Sequence, residues 1–269
     1  MPKQKQPASL FISHGAPTLL ETDVPAHHSL RGLAADLPRP RAVVAVSAHF
    51  ETDRPVIGAD PGPETIHDFY GFSRSLHEFQ YPVSGSPDIA RSIADAMAGE
   101  GVEVLVAGDQ GLDHGIWVPL ALVWPEADVP VIPFSIQPEQ DALHHFRLGQ
   151  ALARAVPEDV LIVASGSMTH NLREFRGQGV NSPAPDWVSG FADWIADRVA
   201  AGDTDALLDF LDRSPSAARN HPTDEHFLPF FVALGAATAS GKQWTGTPLH
   251  RSYTYGVIAM DTYRFDRAA

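Results

Sequence analysis

Short apolar runs rich in β-branched residues recur along the chain, alternating with stretches in which apolar residues return every three or four positions. Ser9 to Ser13, Ala42 to Ser47, Val102 to Ala107, Val129 to Ile136 and Val160 to Ala164 read as strands. Each is expected to be buried on both faces, as in a parallel sheet. Asp88 to Gly99, Gly115 to Trp124 and Gln140 to Val156 carry helical spacing. This βαβα order predicts one α/β domain over residues 1–269, with a mostly parallel central sheet flanked by helices.

The last third is more helical. Pro185 to Ala200, Asp203 to Leu211 and Thr223 to Ala237 read as helices, with Asp203 and Thr223 as N-caps, and Tyr253 to Met260 reads as a final strand. Loops rich in Pro and Gly at Asp60 to Pro63, Ser84 to Pro87 and Gly177 to Pro185 are too short to link separate domains. There is no internal repeat or low-complexity segment.

Composition narrows the chemistry. Of the 269 residues, 44% are hydrophobic and 19% charged, enough apolar material for a sizeable core. The formal net charge is -14 and no run of Lys and Arg could follow a line of phosphates, so nucleic acid and anionic membranes are disfavoured as partners. In the N-terminal segment the apolar run Leu10 to Ile12 is too brief for a signal-peptide core or a membrane span, which points to the cytoplasm. The absence of Cys excludes disulfides, zinc-thiolate sites and cysteine nucleophiles, leaving His, Asp and Glu as strong metal ligands. Thirteen histidines then stand out. Oligomeric state is left open.

Three predicted strands finish in a small-residue turn carrying a histidine: Ser13-His14-Gly15, Ser47-Ala48-His49, and Ser165-Gly166-Ser167-Met168-Thr169-His170. In open α/β sheets ligands bind beyond the carboxyl ends of the strands, so His14, His49 and His170 can converge there although far apart in sequence. Each taken alone could be a hydrogen-bonding turn residue; three together point to an active site at the strand ends. A fourth cluster, His221-Pro222-Thr223-Asp224-Glu225-His226, opens the helix expected from Thr223, and either Glu225 or His226 could complete a metal site.

His114 sits in the glycine-flanked turn Gly111-Leu112-Asp113-His114-Gly115, where glycine permits close backbone approach and Asp113 could be simply a helix cap. His67 lies in the aromatic loop Ile66-His67-Asp68-Phe69-Tyr70-Gly71-Phe72, which could floor a pocket for a flat substrate or simply pack on itself. His27, His28 and His77 lack such a context, and the adjacent His144 and His145 cannot both face one site from a helix. These five read as structural or solvent-exposed.

The segments SHGAP from Ser13, SAHFET from Ser47, IHDFYGF from Ile66, GLDHGIWVPL from Gly111, GSMTHNLR from Gly166 and HPTDEHFLP from His221 resemble, in order, the class III extradiol ring-cleaving dioxygenases, most of all the 4,5-DOPA dioxygenase branch. The resemblance implies a single α/β domain with a non-haem Fe(II) site that opens a catechol ring beside its hydroxyls using O2; zinc is also reported in this branch. By position it implies His14, His49 and His226 as metal ligands, with a carboxylate such as Glu225 the alternative third ligand. It further implies His170 as the acid/base histidine and His114 as a second histidine on the substrate and oxygen side. The expected partners are a small aromatic catechol and O2.

The chemistry suits these residues. A metal that meets a bidentate catecholate and O2 needs about three protein ligands on one face and open positions opposite. Three neutral imidazoles leave it more cationic than two imidazoles and a carboxylate, which favours the catecholate. The same set suits Zn(II), but zinc has no redox chemistry with which to activate O2, so Fe(II) is expected for activity. Catechol protons must leave and one must return as the oxygen–oxygen bond breaks, work for a histidine. His114 could donate a hydrogen bond where charge develops, and Asn171 could orient His170 or cap its turn. Two competing functions share these residues: a zinc-dependent hydrolase, and a non-catalytic metal-binding protein of the same fold.

Overall fold

The computed structural model describes residues 6–241 and 243–267; the first five residues of the N-terminal segment and the last two of the expected domain lie outside the described residues. Among the described residues there are ten strands: β1 (Ser9–Ser13), β2 (Ala42–Glu51), β3 (Val56–Gly58), β4 (Leu105–Ala107), β5 (Val131–Ile136), β6 (Val160–Gly166), β7 (Trp244–His250), β8 (Tyr253–Thr254), β9 (Ile258–Ala259) and β10 (Thr262–Arg267). The helices are α1 (Pro25–Leu33), α2 (Arg74–Glu78), α3 (Pro87–Gly99), α4 (His114–Val123), α5 (Ala142–Ala155), α6 (Asp186–Ala201), α7 (Thr204–Leu208), α8 (Phe210–Arg213), α9 (Ala217–Asn220) and α10 (Leu228–Thr238).

Eight strands form one sheet in the order β4-β3-β5-β2-β6-β1-β10-β7. The central run β5-β2-β6-β1 is parallel, as expected, while β10 joins β1 and β7 antiparallel. Successive side chains of a strand point to opposite faces, and here both faces are covered. Phe11, Val44, Val46, Ile132 and Ile162 pack under α3, α5, α6 and α10. Leu10, Ile12, Val43, Ala45 and Val163 pack under α1 and α4 on the other side. That double burial is why the runs carry no polar alternation.

At the crossing of α5 and α10 the backbones nearly touch. A Cβ added at Gly149 would collide with the Val232 carbonyl, and one at Gly235 with the Phe146 carbonyl. Every residue of α10 through Ala237 is buried, so this helix is apolar all round.

Several expectations are corrected. The stretch from Tyr253 to Met260 is not a strand: Tyr255 and Gly256 both take positive φ and turn the chain into the small hairpin of β8 and β9. The final strand is β10, with Tyr263 and Phe265 buried. The helix expected from Thr223 begins at Leu228, because the His226 carbonyl accepts from Ser167 N–H (2.7 Å) and draws residues 222–227 toward the sheet. Asp203 is an N-cap as expected, accepting from Ala206 N–H, but its helix breaks at Asp209 into α7 and α8. Residues 102–104 stay outside β4, and Leu105 and Val106 are exposed at the sheet edge, contrary to burial on both faces. Strand β3, helix α1 and strand β7 carried no sequence expectation.

Among the described residues no helix is long and apolar enough to cross a membrane.

Candidate metal centre

Strand register brings the distant histidines together. Ser13 pairs with Gly166 across β1 and β6, and Ser47 pairs with Ser165 across β2 and β6, so β1 and β6 end beside the middle of β2, which runs on past His49 to Glu51 and does not finish at Ser47 as expected. His14 follows β1, its N–H donating to the Gly166 carbonyl (2.9 Å). His49 lies inside β2, where pairing with β5 slips register between Val46 and Glu51, a bulge-like irregularity of the kind that re-aims side chains beside sites. His226 arrives from the far end of the chain. A Cβ at Gly166 would strike its carbonyl oxygen, so glycine there allows the segment before α10 to lie on the end of β6.

The three imidazoles meet through one edge. His49 Nε2 is 3.3 Å from His14 Nε2 and 3.2 Å from His226 Nε2. Each opposite nitrogen faces an acceptor. The Ser165 hydroxyl donates its one proton to the Gly115 carbonyl, so its oxygen, 3.0 Å from His14 Nδ1, can only accept the Nδ1–H. Glu225 Oε1 accepts from His226 Nδ1 at 2.8 Å. Asp68 Oδ2 faces His49 Nδ1 at 3.5 Å. With protons on the three Nδ1 atoms, three bare Nε2 lone pairs point at one another.

A cation fits this donor set. An ion about 2.1 Å from two nitrogens holds them about 3.0 Å apart at a right angle and about 3.4 Å apart at a tetrahedral angle, the range seen here. The ligand atoms of His14, His49 and His226 lie within 4.8 Å of one another. Burial lowers the pKa of all three, assisted by neighbouring histidines, well below 6.5 for His14 and His226 and to about 3 for His49. They are therefore neutral at neutral pH, the form that can ligate.

His170 and His114 stand beside this cluster. The His170 ring stacks on His226, and its Nδ1 is 3.7 Å from Glu225 Oε1. Burial lowers its pKa to about 4, against the raising effect of the Glu225 charge. His114 is the first residue of α4, which Asp113 caps by accepting from Ile116 N–H. The cap reading of Asp113 thus holds, and His114 at the helix start lies beside the histidine cluster. His114 Nδ1 donates to Asp68 Oδ1 at 2.9 Å, and its ring centroid is 4.1 Å from that of His49.

The aromatic loop packs on itself and also borders the site. His67 donates to the Phe79 carbonyl, while Phe69 meets His114 edge-on with centroids 5.7 Å apart. Asn171 accepts from Arg173 N–H and donates to the Arg219 carbonyl, so it caps its turn. His145 is a satisfied core residue, bonded to Gln137 N–H and the Asp141 carbonyl. Sequence reasoning missed Asp68 and Ser165 as partners of the histidines. Asp68 stood inside the quoted aromatic segment, but residues 49, 68 and 114 have no shared spacing.

The family profile described as "Catalytic LigB subunit of aromatic ring-opening dioxygenase" matches residues 8–265. The chain is 38% identical over 263 residues to the 4,5-DOPA dioxygenase extradiol of Beta vulgaris, covering 96% of each. It is 37% identical over 242 residues to the 4,5-DOPA dioxygenase extradiol of Escherichia coli strain K12, covering 88% of this chain and 87% of that one. The crystal structure of an uncharacterized protein from Escherichia coli K12 superposes with a TM-score of 0.78 at 30% identity, covering 96% of this chain and 98% of that one.

Proposed function

The chain belongs to the LigB family of aromatic ring-opening dioxygenases and is an extradiol ring-cleaving enzyme acting on an aromatic substrate with O2, and from that premise we propose that it opens a DOPA-like catechol using Fe(II) held by His14, His49 and His226. Enzymes of this family are metal-dependent. The observation that carries the ligand assignment is the convergence of three Nε2 atoms whose opposite Nδ1 atoms all face acceptors. Glu225 is spoken for as the acceptor of His226 Nδ1, which favours imidazole as the third ligand. The whole chain acts as one catalytic domain.

Bound there, Fe(II) supplies redox chemistry toward O2 and a positive charge that favours the catecholate. The protein's own groups manage protons and position. His170, neutral at neutral pH, accepts a catechol proton at Nε2, and the Glu225 carboxylate beside Nδ1 offsets the charge that appears on the ring. The same proton is then available when the oxygen–oxygen bond breaks. His114 has its Nδ1–H committed to Asp68, so its Nε2 accepts from a catechol hydroxyl and becomes a donor toward the oxygen side only once protonated. Phe69 packs edge-on to His114 on that side.

Anaerobic loading with Fe(II), followed by oxygen-electrode assays on DOPA, caffeate, protocatechuate and catechol, tests the reading. The expected result is oxygen uptake with DOPA and a ring-opened product, and no uptake with the zinc-loaded protein. Equal uptake by the zinc form, or none with any catechol, overturns it.

A further inference from the structure

The geometry points to Asp68 as a positioning residue that holds two histidines of the site at once, setting the tautomer of His49 and the orientation of His114. The inference rests on the proposed role of His49 as a metal ligand. Asp68 lies in the loop before α2, while His49 is in β2 and His114 opens α4. Its Oδ1 accepts from both the backbone N–H (3.0 Å) and Nδ1 (2.9 Å) of His114. Its Oδ2 faces His49 Nδ1 at 3.5 Å. One carboxylate thus joins a proposed ligand to a proposed substrate-side histidine, whose rings lie 4.1 Å apart.

A neutral imidazole carries its proton on either nitrogen, and the group bonded to one nitrogen decides which. An acceptor at Nδ1 keeps the proton there and leaves the Nε2 lone pair for a metal; such partners are worth about 10 to 100-fold in metal affinity. Ser165 and Glu225 hydrogen-bond Nδ1 of His14 and His226 at 3.0 and 2.8 Å, and the group facing Nδ1 of His49 is the Asp68 carboxylate, at a longer 3.5 Å. Capping of α4 does not require Asp68, because Asp113 already accepts from Ile116 N–H.

Asp68→Asn separates positioning from packing. The amide keeps the size and one acceptor oxygen, which can stay on His114. Its NH2 then faces His49 Nδ1, which must become an acceptor, and the ring proton moves to Nε2, where the metal should bind. Zn(II) affinity is measured on metal-free protein by competition with a chelator, beside thermal unfolding, with Asp68→Glu and His49→Ala in parallel. The expected results are cooperative unfolding of Asp68→Asn close to wild type, a 10 to 100-fold loss of Zn(II) affinity, and partial recovery in Asp68→Glu. Nitrogen-15 NMR of histidine-labelled, metal-free wild type should find His49 protonated at Nδ1. Finding it at Nε2 overturns the inference even if Asp68→Asn fails to fold. Wild-type affinity in Asp68→Asn, with metal lost in His49→Ala, overturns the role of Asp68 alone. Wild-type affinity in His49→Ala overturns the ligand assignment beneath it.

Discussion

The imidazole of His170 lies flat on that of His226, with ring centroids 3.4 Å apart and planes 12° from parallel. A proposed proton carrier is therefore braced directly against a proposed ligand, and both ring Nδ1 atoms face the same oxygen of Glu225, at 3.7 and 2.8 Å. Losing one ring need not displace the other, because His226 keeps its bond to Glu225.

His170→Ala is accordingly expected to keep its metal and lose turnover. A positioned acid/base contributes about 10² to 10⁴-fold, so kcat should fall by that order while metal content matches wild type. His14→Ala should lose metal and activity together. Metal analysis after identical Fe(II) loading, alongside oxygen uptake, decides; if His170→Ala loses metal as His14→Ala does, it is a ligand.

Glu225→Gln keeps an oxygen that can accept from His226 Nδ1 but removes the charge that raises the His170 pKa. The His170 pKa should drop further, so the acid limb of the kcat/KM profile should move to lower pH with metal content retained. An acid limb that stays put, or moves up, contradicts the assignment of His170 as the base.

Gly166→Ala should act on the site through the backbone. The added methyl collides with the His226 carbonyl and pushes this residue off the end of β6, so Zn(II) affinity should fall along with about 1–3 kcal/mol of stability. Gly149→Ala, which collides with the Val232 carbonyl at the crossing of α5 and α10, should cost comparable stability while leaving Zn(II) affinity near wild type. Denaturant midpoints and chelator competition on both variants separate the two effects.

Acid should unfold the metal-free protein well above the carboxylate range. Burial lowers the pKa of His145, His170 and His221 from 6.5 to about 4, and that of His49 to about 3. Between pH 6.5 and those values the unfolded chain binds more protons than the folded one, so stability is present above pH 6.5 and is lost as pH falls through the window. His145 alone accounts for about 3 kcal/mol over the full span, at about 1.4 kcal/mol per unit. Urea unfolding at pH 7.5 and pH 5 checks this: equal midpoints would rule it out.

The sequence by itself determined the sheet's centre and pointed to histidines that the fold brings together. Doubly buried parallel strands need continuous apolar runs, which are local and visible, and Ser9–Ser13 was readable to the residue for that reason. His14 and His170 were readable because the turn after a buried strand is short and carries its histidine with it. The edges were less legible: three residues suffice for β3, and the turn at Tyr255 and Gly256 interrupts an apolar stretch that otherwise resembles a strand.

Only the tertiary structure decided how the histidines are served. The register of Ser13 against Gly166 and of Ser47 against Ser165 sets how close His14 and His49 come, and register is a property of paired strands, not of either alone. The segment carrying Glu225 and His226 is drawn onto the end of β6 by a bond from Ser167 N–H to the His226 carbonyl, across 59 positions of sequence. Asp68 meets His49 and His114 because three separate elements end at one place. Hydrogen-bond partners so distant in sequence leave no periodic trace, since their spacing is fixed by packing and not by the chain's local geometry.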